Sequence, residues 1–202
     1  MNYLAHVYLA GPRPDFIAGG ILGDFVRGHI NPLWPAGLRE GIKLHRHIDS
    51  YTDSHPLLVA AKSKFSPVFR RFAGIIIDVM FDHYLVRSWS SFSDISLPYY
   101  LRPVYSSLRL YQQFFDGRGR QVVSSLIENE WLCEYREIEM ISISLNSISR
   151  RSRRPNPLSR ADAEVMCMYD YMLEVFNRVF PEIISHFRTI ALHTSSNLVR
   201  QA

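Results

Sequence analysis

Two aspartates, Asp78 and Asp82, stand four residues apart inside the apolar run IIIDVMFDHYLV, with His83 directly after. An ionised carboxylate in such surroundings costs several kcal/mol or more unless it is paired, hydrogen-bonded or bound to a metal. On a helix the two lie about 40° apart and face one point, while His83 lies about 100° further round from Asp82. A second pair with the same spacing, His45 and Asp49, occurs in GIKLHRHID, with Asp53 one turn on; His47, about 200° from His45, must face elsewhere. Six of the eight histidines lie at or before position 83. His6 in YLAHVYL and Asp24 in ILGDFV also sit among apolar residues, where a lone core histidine bonded to a carbonyl is as good a reading as a ligand.

Mixed imidazole and carboxylate donors suit Mn²⁺, Fe²⁺, Mg²⁺ or Zn²⁺, and the absence of paired thiolates argues against structural zinc. Such a centre polarises a phosphoryl oxygen and activates water, so the chemistry expected is hydrolytic. The competing reading is structural: Asp78 and Asp82 could pair with Arg70, Arg71, Arg87 or His45 inside a helical bundle and bind nothing. His29 and His55 read as turn or helix-end residues, and His186 and His193 as surface or capping residues near the C-terminus. No nucleophile elbow, phosphate-binding glycine loop or dinucleotide fingerprint is present, and the glycines of AGGILGD make a poor nucleotide cradle.

The elements that must position these residues read as helices. Pro14 opens a short one ending near Gly28; Leu38, Ile42, Leu44, Ile48 and Tyr51 mark a long one that His55-Pro56 terminates; LLVAAKSKF follows. From Pro67 to about Trp89 the chain is apolar nearly all round, the pattern of a central buried helix that starts at its proline. Further helices are expected at Pro98–Phe115, Arg120–Cys133, Ile138–Ser149 and Ala161–Val179, with Pro181 opening a last one to His193. The expected fold is all-α, a single compact multi-helix domain over residues 1–202. With 47% hydrophobic and 13% aromatic residues in 202, a sizeable core is available. The N-terminal stretch fits neither a signal peptide nor a spanning helix, so no membrane association and a cytoplasmic location are expected. Cys133 and Cys167, without a CxxC spacing, are expected to be small buried hydrophobes. The net charge of +4 favours an acidic or phosphate-bearing partner and is too small to imply nucleic acid.

The blocks MNYLAHVYLA, ILGDFVRG, GIKLHRHID with TDSHP, DVMFDHYLVRSW, and ENEWLCEYREIE with SISRRSRRP together resemble the acyl carrier protein phosphodiesterase family. The resemblance implies a helical enzyme related to HD-type metal-dependent phosphohydrolases that removes 4′-phosphopantetheine from the serine of holo acyl carrier protein. The adjacent His-Asp order of HD proteins is not reproduced, the adjacent pair here being Asp82-His83. Carried over by the blocks, His6, Asp24, His45, Asp49, Asp78, Asp82 and His83 surround a divalent metal, Mn²⁺ first with Mg²⁺ or Fe²⁺ as alternatives, and Asp24 is the catalytic residue acting on water. Because acyl carrier protein is acidic, Arg27, Arg46 and Arg87 are expected to grip phosphate or partner carboxylates, and Arg150, Arg151, Arg153 and Arg154 to form a docking patch or merely a solvated loop. Two other functions fit the same residues: an HD-like phosphohydrolase of a nucleotide or other small phosphoester, and a non-enzymatic basic helical binding module.

Overall fold

In the computed structural model, described for residues 1–199 with side chains to Phe187, nine α-helices carry the chain and no strand occurs among the described residues. They are α1 (Tyr3–Ala10), α2 (Pro14–Leu22), α3 (Ala36–Ser54), α4 (Pro56–Lys64), α5 (Ala73–Arg87), α6 (Leu97–Leu110), α7 (Gly117–Asn129), α8 (Glu139–Arg151) and α9 (Asp162–Val199). The all-α expectation holds.

The apolar run around Asp78 is indeed the central helix. Eleven of the fifteen residues of α5 are buried, and it packs against α1, α8, α9 and the tight helical turn Trp131–Arg136. Pro67 does not open it, however. A turn and a short 3₁₀ segment, Arg70–Phe72, intervene, and α5 starts at Ala73, the first residue of the run that is buried. The α3 helix packs on α2 above all and also meets α1 and α4, and its buried positions Leu38, Gly41, Ile42, His45, Ile48 and Thr52 follow one helical stripe. His55 closes α3 and caps α4, its ring nitrogen accepting from the Leu57 N–H.

Two close approaches set the crossing of α2 and α3. A Cβ on Gly19 would lie 2.7 Å from Gly41 Cα, so backbones meet where any side chain would push them apart. At the end of α2, a Cβ on Gly23 would lie 2.3 Å from His45 Cγ. The α2 helix ends at Leu22, short of the expected Gly28, because residues 23–25 turn away and free Asp24 from the helix.

Pro181 does not start a new helix. Met172, Val175, Phe176, Val179, Phe180, Ile183, Ile184 and Phe187 continue one buried stripe through it, and packing of that stripe outweighs the single N–H lost at an exposed proline. The cysteines are free, as expected, but Cys167 is exposed on the outer face of α9 and Cys133 is half-buried, so neither is a core hydrophobe. His186 is not a surface cap: its ring stacks on Tyr51 at 4.3 Å in the seam between α3 and α9. The His193 side chain lies outside the described residues.

Candidate metal centre

His6, on α1, and His45, on α3, meet ring to ring at 4.0 Å and 25° from parallel, both buried. Asp49, one turn after His45, spans them: its Oδ1 lies 3.1 Å from His6 Nε2 and its Oδ2 3.1 Å from His45 Nε2. Among the described residues these three form the group of metal-ligating type whose donor atoms all lie within 4.8 Å of one another. Two further carboxylates border it. Asp24 Oδ1 is 3.8 Å from His45 Nε2, and Asp78 reaches the group through the Met1 amino nitrogen, which lies 3.2 Å from Asp78 Oδ1 and 3.0 Å from Asp49 Oδ1. The histidines are at 0% and 3% exposure whereas the side chains of Asp49, Asp24 and Asp78 keep 37%, 38% and 41%, so the centre is walled by imidazole and opens through carboxylates.

Hydrogen bonding decides what the two imidazoles can do. His45 Nδ1 lies 2.7 Å from the Gly20 carbonyl, which can only accept, so this nitrogen carries a proton and Nε2 is the one left to face Asp24 and Asp49: as imidazolium it donates to Asp49, and once that proton leaves its lone pair can take a cation. His6 has neither ring nitrogen in a hydrogen bond; its approach to Asp49 is close but poorly aligned for one. An unsatisfied imidazole in a fully buried site is a cost that a cation relieves. Ligands on neighbouring corners of an octahedron with bonds of about 2.1 Å are about 3.0 Å apart, close to the 3.1 Å seen twice here. Two imidazoles and a carboxylate on one side of an ion leave open positions for substrate and water. The residues therefore fit a divalent metal.

The electrostatics are those of a site that holds positive charge. Burial drives His6 down to about 3, partly resisted by Asp49, so it stays neutral and free to ligate. Burial also opposes charge on His45, but Asp49 and Asp24 outweigh it and hold the ring above its ordinary value. Asp49, despite burial, is held far below the carboxylate range by His45, His6 and the Met1 ammonium. That ammonium is itself raised to about 11, burial being overcome by Asp78 and Asp49. Asp24 moves the other way: burial lifts it to about 6, with His45 pulling it down. Burial raises Asp78 as well.

The remaining sequence candidates lie elsewhere. Asp82 turns both oxygens onto the start of α1, accepting from Leu4 N–H at 2.8 Å and Ala5 N–H at 2.9 Å. These are orphan donors of a helix whose N-cap, Asn2, makes no capping bond of its own, so the buried carboxylate is compensated by a helix terminus in place of a cation. Burial still lifts Asp82 to about 7 against the pull of those two donors. His83 bonds to the Tyr135 carbonyl and the Tyr169 hydroxyl, each at 2.7 Å, and Arg87 joins the same hydroxyl at 3.2 Å. Arg46 donates to the Val26 carbonyl, pinning the loop behind Asp24. His47 faces the rings of His186 and Phe187, Asp53 pairs with Lys62, and His29 lies exposed in a turn.

Arg27, Arg151, Arg153 and Arg154 line one cavity of 810 Å³, and two more arginines complete it: Arg71, considered from the sequence only as an ion partner for Asp78 and Asp82, and Arg118, not singled out there. Among the described residues no acidic one lines it. Arg150 is exposed and is not among its walls. Arg71 and Arg118 carry no distinguishing sequence signal; they converge because the entry to α5 and the first turn of α7 face the end of α8.

Fold and site thus define a helical protein with a buried two-histidine, one-carboxylate centre and an arginine-lined cavity. The sequence profile of the acyl carrier protein phosphodiesterase family matches residues 1–183. Acyl carrier protein phosphodiesterases of an Enterobacter species (34% identity over 91% of this chain and 96% of the relative), Klebsiella pneumoniae (33%, 91% and 96%) and Photorhabdus laumondii (31%, 86% and 94%) are similar along nearly their whole lengths. The chain belongs to the acyl carrier protein phosphodiesterase family. No solved structure matches it, and the likeness to HD phosphohydrolases rests on the sequence resemblance. No helix among the described residues is long and apolar enough to cross a membrane.

Proposed function

We propose that this chain hydrolyses the phosphodiester joining 4′-phosphopantetheine to a serine of holo acyl carrier protein, giving the apo protein and 4′-phosphopantetheine. The observation that carries the reading is His6, fully buried, with neither ring nitrogen in an aligned hydrogen bond among the described residues, its Nε2 converging with His45 Nε2 on the carboxylate of Asp49. Family membership supplies the substrate, since no feature of the centre distinguishes one phosphodiester from another.

In this reading His6, His45 and Asp49 hold a divalent cation, with Asp24 and Asp78 at its open side; Mn²⁺ suits the mixed donors, as do Mg²⁺ and Fe²⁺. When bound, the ion withdraws charge from the phosphoryl oxygens and acidifies water. Asp24, lifted to about 6, is matched to a general base near neutral pH: its carboxylate takes a proton from the attacking water and returns it to the serine oxygen as the ester bond breaks. His45 keeps its lone pair on the centre because Gly20 holds its other nitrogen's proton. The arginines of the adjoining cavity, Arg27, Arg71, Arg118, Arg151, Arg153 and Arg154, gather the phosphate and the carboxylates of an acidic carrier protein, with Arg150 at the rim. Asp82 and His83 act by holding α1 and α5 in place. Free thiols and a carrier-protein substrate accord with the cytoplasm.

The test incubates the purified chain with Mn²⁺ and holo acyl carrier protein and follows 4′-phosphopantetheine release by mass spectrometry. Release that EDTA stops and Mn²⁺ restores is the expected result. No release, with a nucleotide cleaved instead, transfers the centre to small phosphoesters; no metal response in activity or stability removes the centre altogether.

A further inference from the structure

A second cavity, of 480 Å³, begins at Asn2 and Tyr3, next to the residue whose amino nitrogen touches Asp49 and Asp78, and shares two of its walls, Ile148 and Arg151, with the arginine cavity. Nothing in the reaction as described above uses it. We propose that this cavity is the subsite for the arm of the substrate, the extended chain of hydroxyl, two amides and terminal thiol that the phosphate carries on the side away from the carrier protein. The inference rests on the proposed reaction for its ligand and on the cavity itself for its place.

Three observations favour that occupant. The first is continuity: a phosphodiester held between the centre and the arginines has one side toward an acidic protein at the arginine cavity, and Ile148 and Arg151 carry the walls of that cavity on into this second space. Tyr3 registers the junction, since after burial its hydroxyl is shifted most by Asp24, then by Arg151, with Arg118 also felt. The second is size, because 480 Å³ falls within the roughly 300–1,000 Å³ of small-molecule sites. The third is chemistry. Apolar walls from Val122, Met140, Ile143 and Ile148 are interrupted by two polar stations, with one charge of each sign, Glu134 and Arg151, also on the lining: Asn2 donates to the Tyr135 hydroxyl, which bonds Ser144, and Trp131 and Asn129 both donate to Ser125. Short aliphatic spacers between amides meet such a surface better than a purely apolar chain or a compact charged ligand does.

Ser147, on the cavity-facing side of α8 and with no hydrogen bond from its own hydroxyl among the described residues, allows the space to be filled: Ser147→Trp puts an indole where the arm would lie. Two readouts separate the subsite from the reaction. In the first, the metal-loaded protein is given holo acyl carrier protein and, in parallel, bis(4-nitrophenyl) phosphate, a diester without the arm. Ser147→Trp is expected to lower kcat/KM for the carrier protein about tenfold or more while hydrolysis of the armless diester and the melting temperature stay at wild-type values. Equal loss on both substrates, or no loss on the carrier protein, overturns the subsite. In the second, pantetheine is titrated into the protein and the fluorescence of Trp131, which lines the cavity, is followed, with Trp131→Phe identifying its share of the signal. Saturable quenching in the wild type, weakened about tenfold or more by Ser147→Leu, which fills the space without adding a fluorophore, supports the subsite even if no carrier protein is cleaved; no Trp131 response up to millimolar pantetheine overturns it even if the enzyme is active.

Discussion

Asp82→Asn separates two roles that the sequence merges. Asp78 and Asp82 share a helical face, but only Asp78 turns toward the centre; Asp82 spends both oxygens on the Leu4 and Ala5 N–H groups. Asparagine keeps one acceptor and sets an NH₂ against the other donor, leaving one buried N–H unpaired at a cost of about 2 kcal/mol. In a chain of this size each kcal/mol moves the melting temperature by about 2–4 °C, so the variant should melt about 4–8 °C lower. The loss depends on pH. Because the folded Asp82 titrates near 7 against an ordinary 3.8, the folded state binds the extra proton between those values, and the carboxyl withdraws stability as pH rises through that window. Asparagine does not titrate, so the wild-type advantage should be larger at about pH 5 than at about pH 8. The decisive measurement is the response to Mn²⁺, followed by differential scanning fluorimetry. At about 100 times its dissociation constant the ion should stabilise the wild type by about 2.7 kcal/mol, or roughly 5–11 °C, and Asp82→Asn should retain the whole increment. Loss of that increment would place Asp82 among the ligands and refute the capping argument.

Four other outcomes follow from the same geometry. His6→Phe should abolish the Mn²⁺-dependent rise in melting temperature while the helical circular dichroism persists; an unchanged rise means that His6 is no ligand. With chelator present, burial keeps the His6 imidazole down near 3 against an ordinary 6.5, so the unfolded chain binds more protons in between; stability should fall as pH drops through that window, more steeply than in His6→Phe, and parallel acid-denaturation curves would contradict this. Gly23→Ala, whose Cβ would sit 2.3 Å from His45 Cγ, should cost about 1–3 kcal/mol and weaken Mn²⁺ binding measured by calorimetry, and wild-type affinity there would show that the ring does not depend on that approach. Asp24→Asn should lower kcat by about 10²–10⁴ with Mn²⁺ affinity largely kept, so that full turnover, checked by product release, rules out Asp24 as the base.

How much of this the sequence carries differs by link. Helical periodicity locates α3 and α5 because both bury a side-chain pattern that repeats with the helix, and the i,i+4 pair His45 and Asp49 does share one target. The same rule places Asp78 and Asp82 on one face, and they are, but a face of a central helix is longer than a metal site: one turn along α5 carries the carboxylate from the centre to the start of α1. His83, about 100° away, meets the Trp131–Arg136 turn and α9 instead. Proline positions misled where long-range packing outweighed a local signal, as at Pro181 within α9. The arginine cavity was half legible: the run from Arg150 to Arg154 marks itself, whereas Arg71 and Arg118 enter only through tertiary proximity.

The glycines of AGGILGD, which read as an empty phosphate-loop signature, explain why the centre forms at all. Gly19 lets α2 lie on α3 at Gly41, that approach sets the Gly20 carbonyl against His45 Nδ1, and Gly23 leaves room for the ring. The result is an imidazole whose Nδ1 proton is fixed, leaving Nε2 as the nitrogen that faces Asp24 and Asp49 and that a cation can take. From the other side, α1 carries His6 to the same place and is itself held at its N-terminus by Asp82. His45 therefore depends on the backbone of α2 and His6 on the carboxylate that anchors α1, and lengthening Gly19 by one methyl should loosen metal binding although that residue touches no ligand.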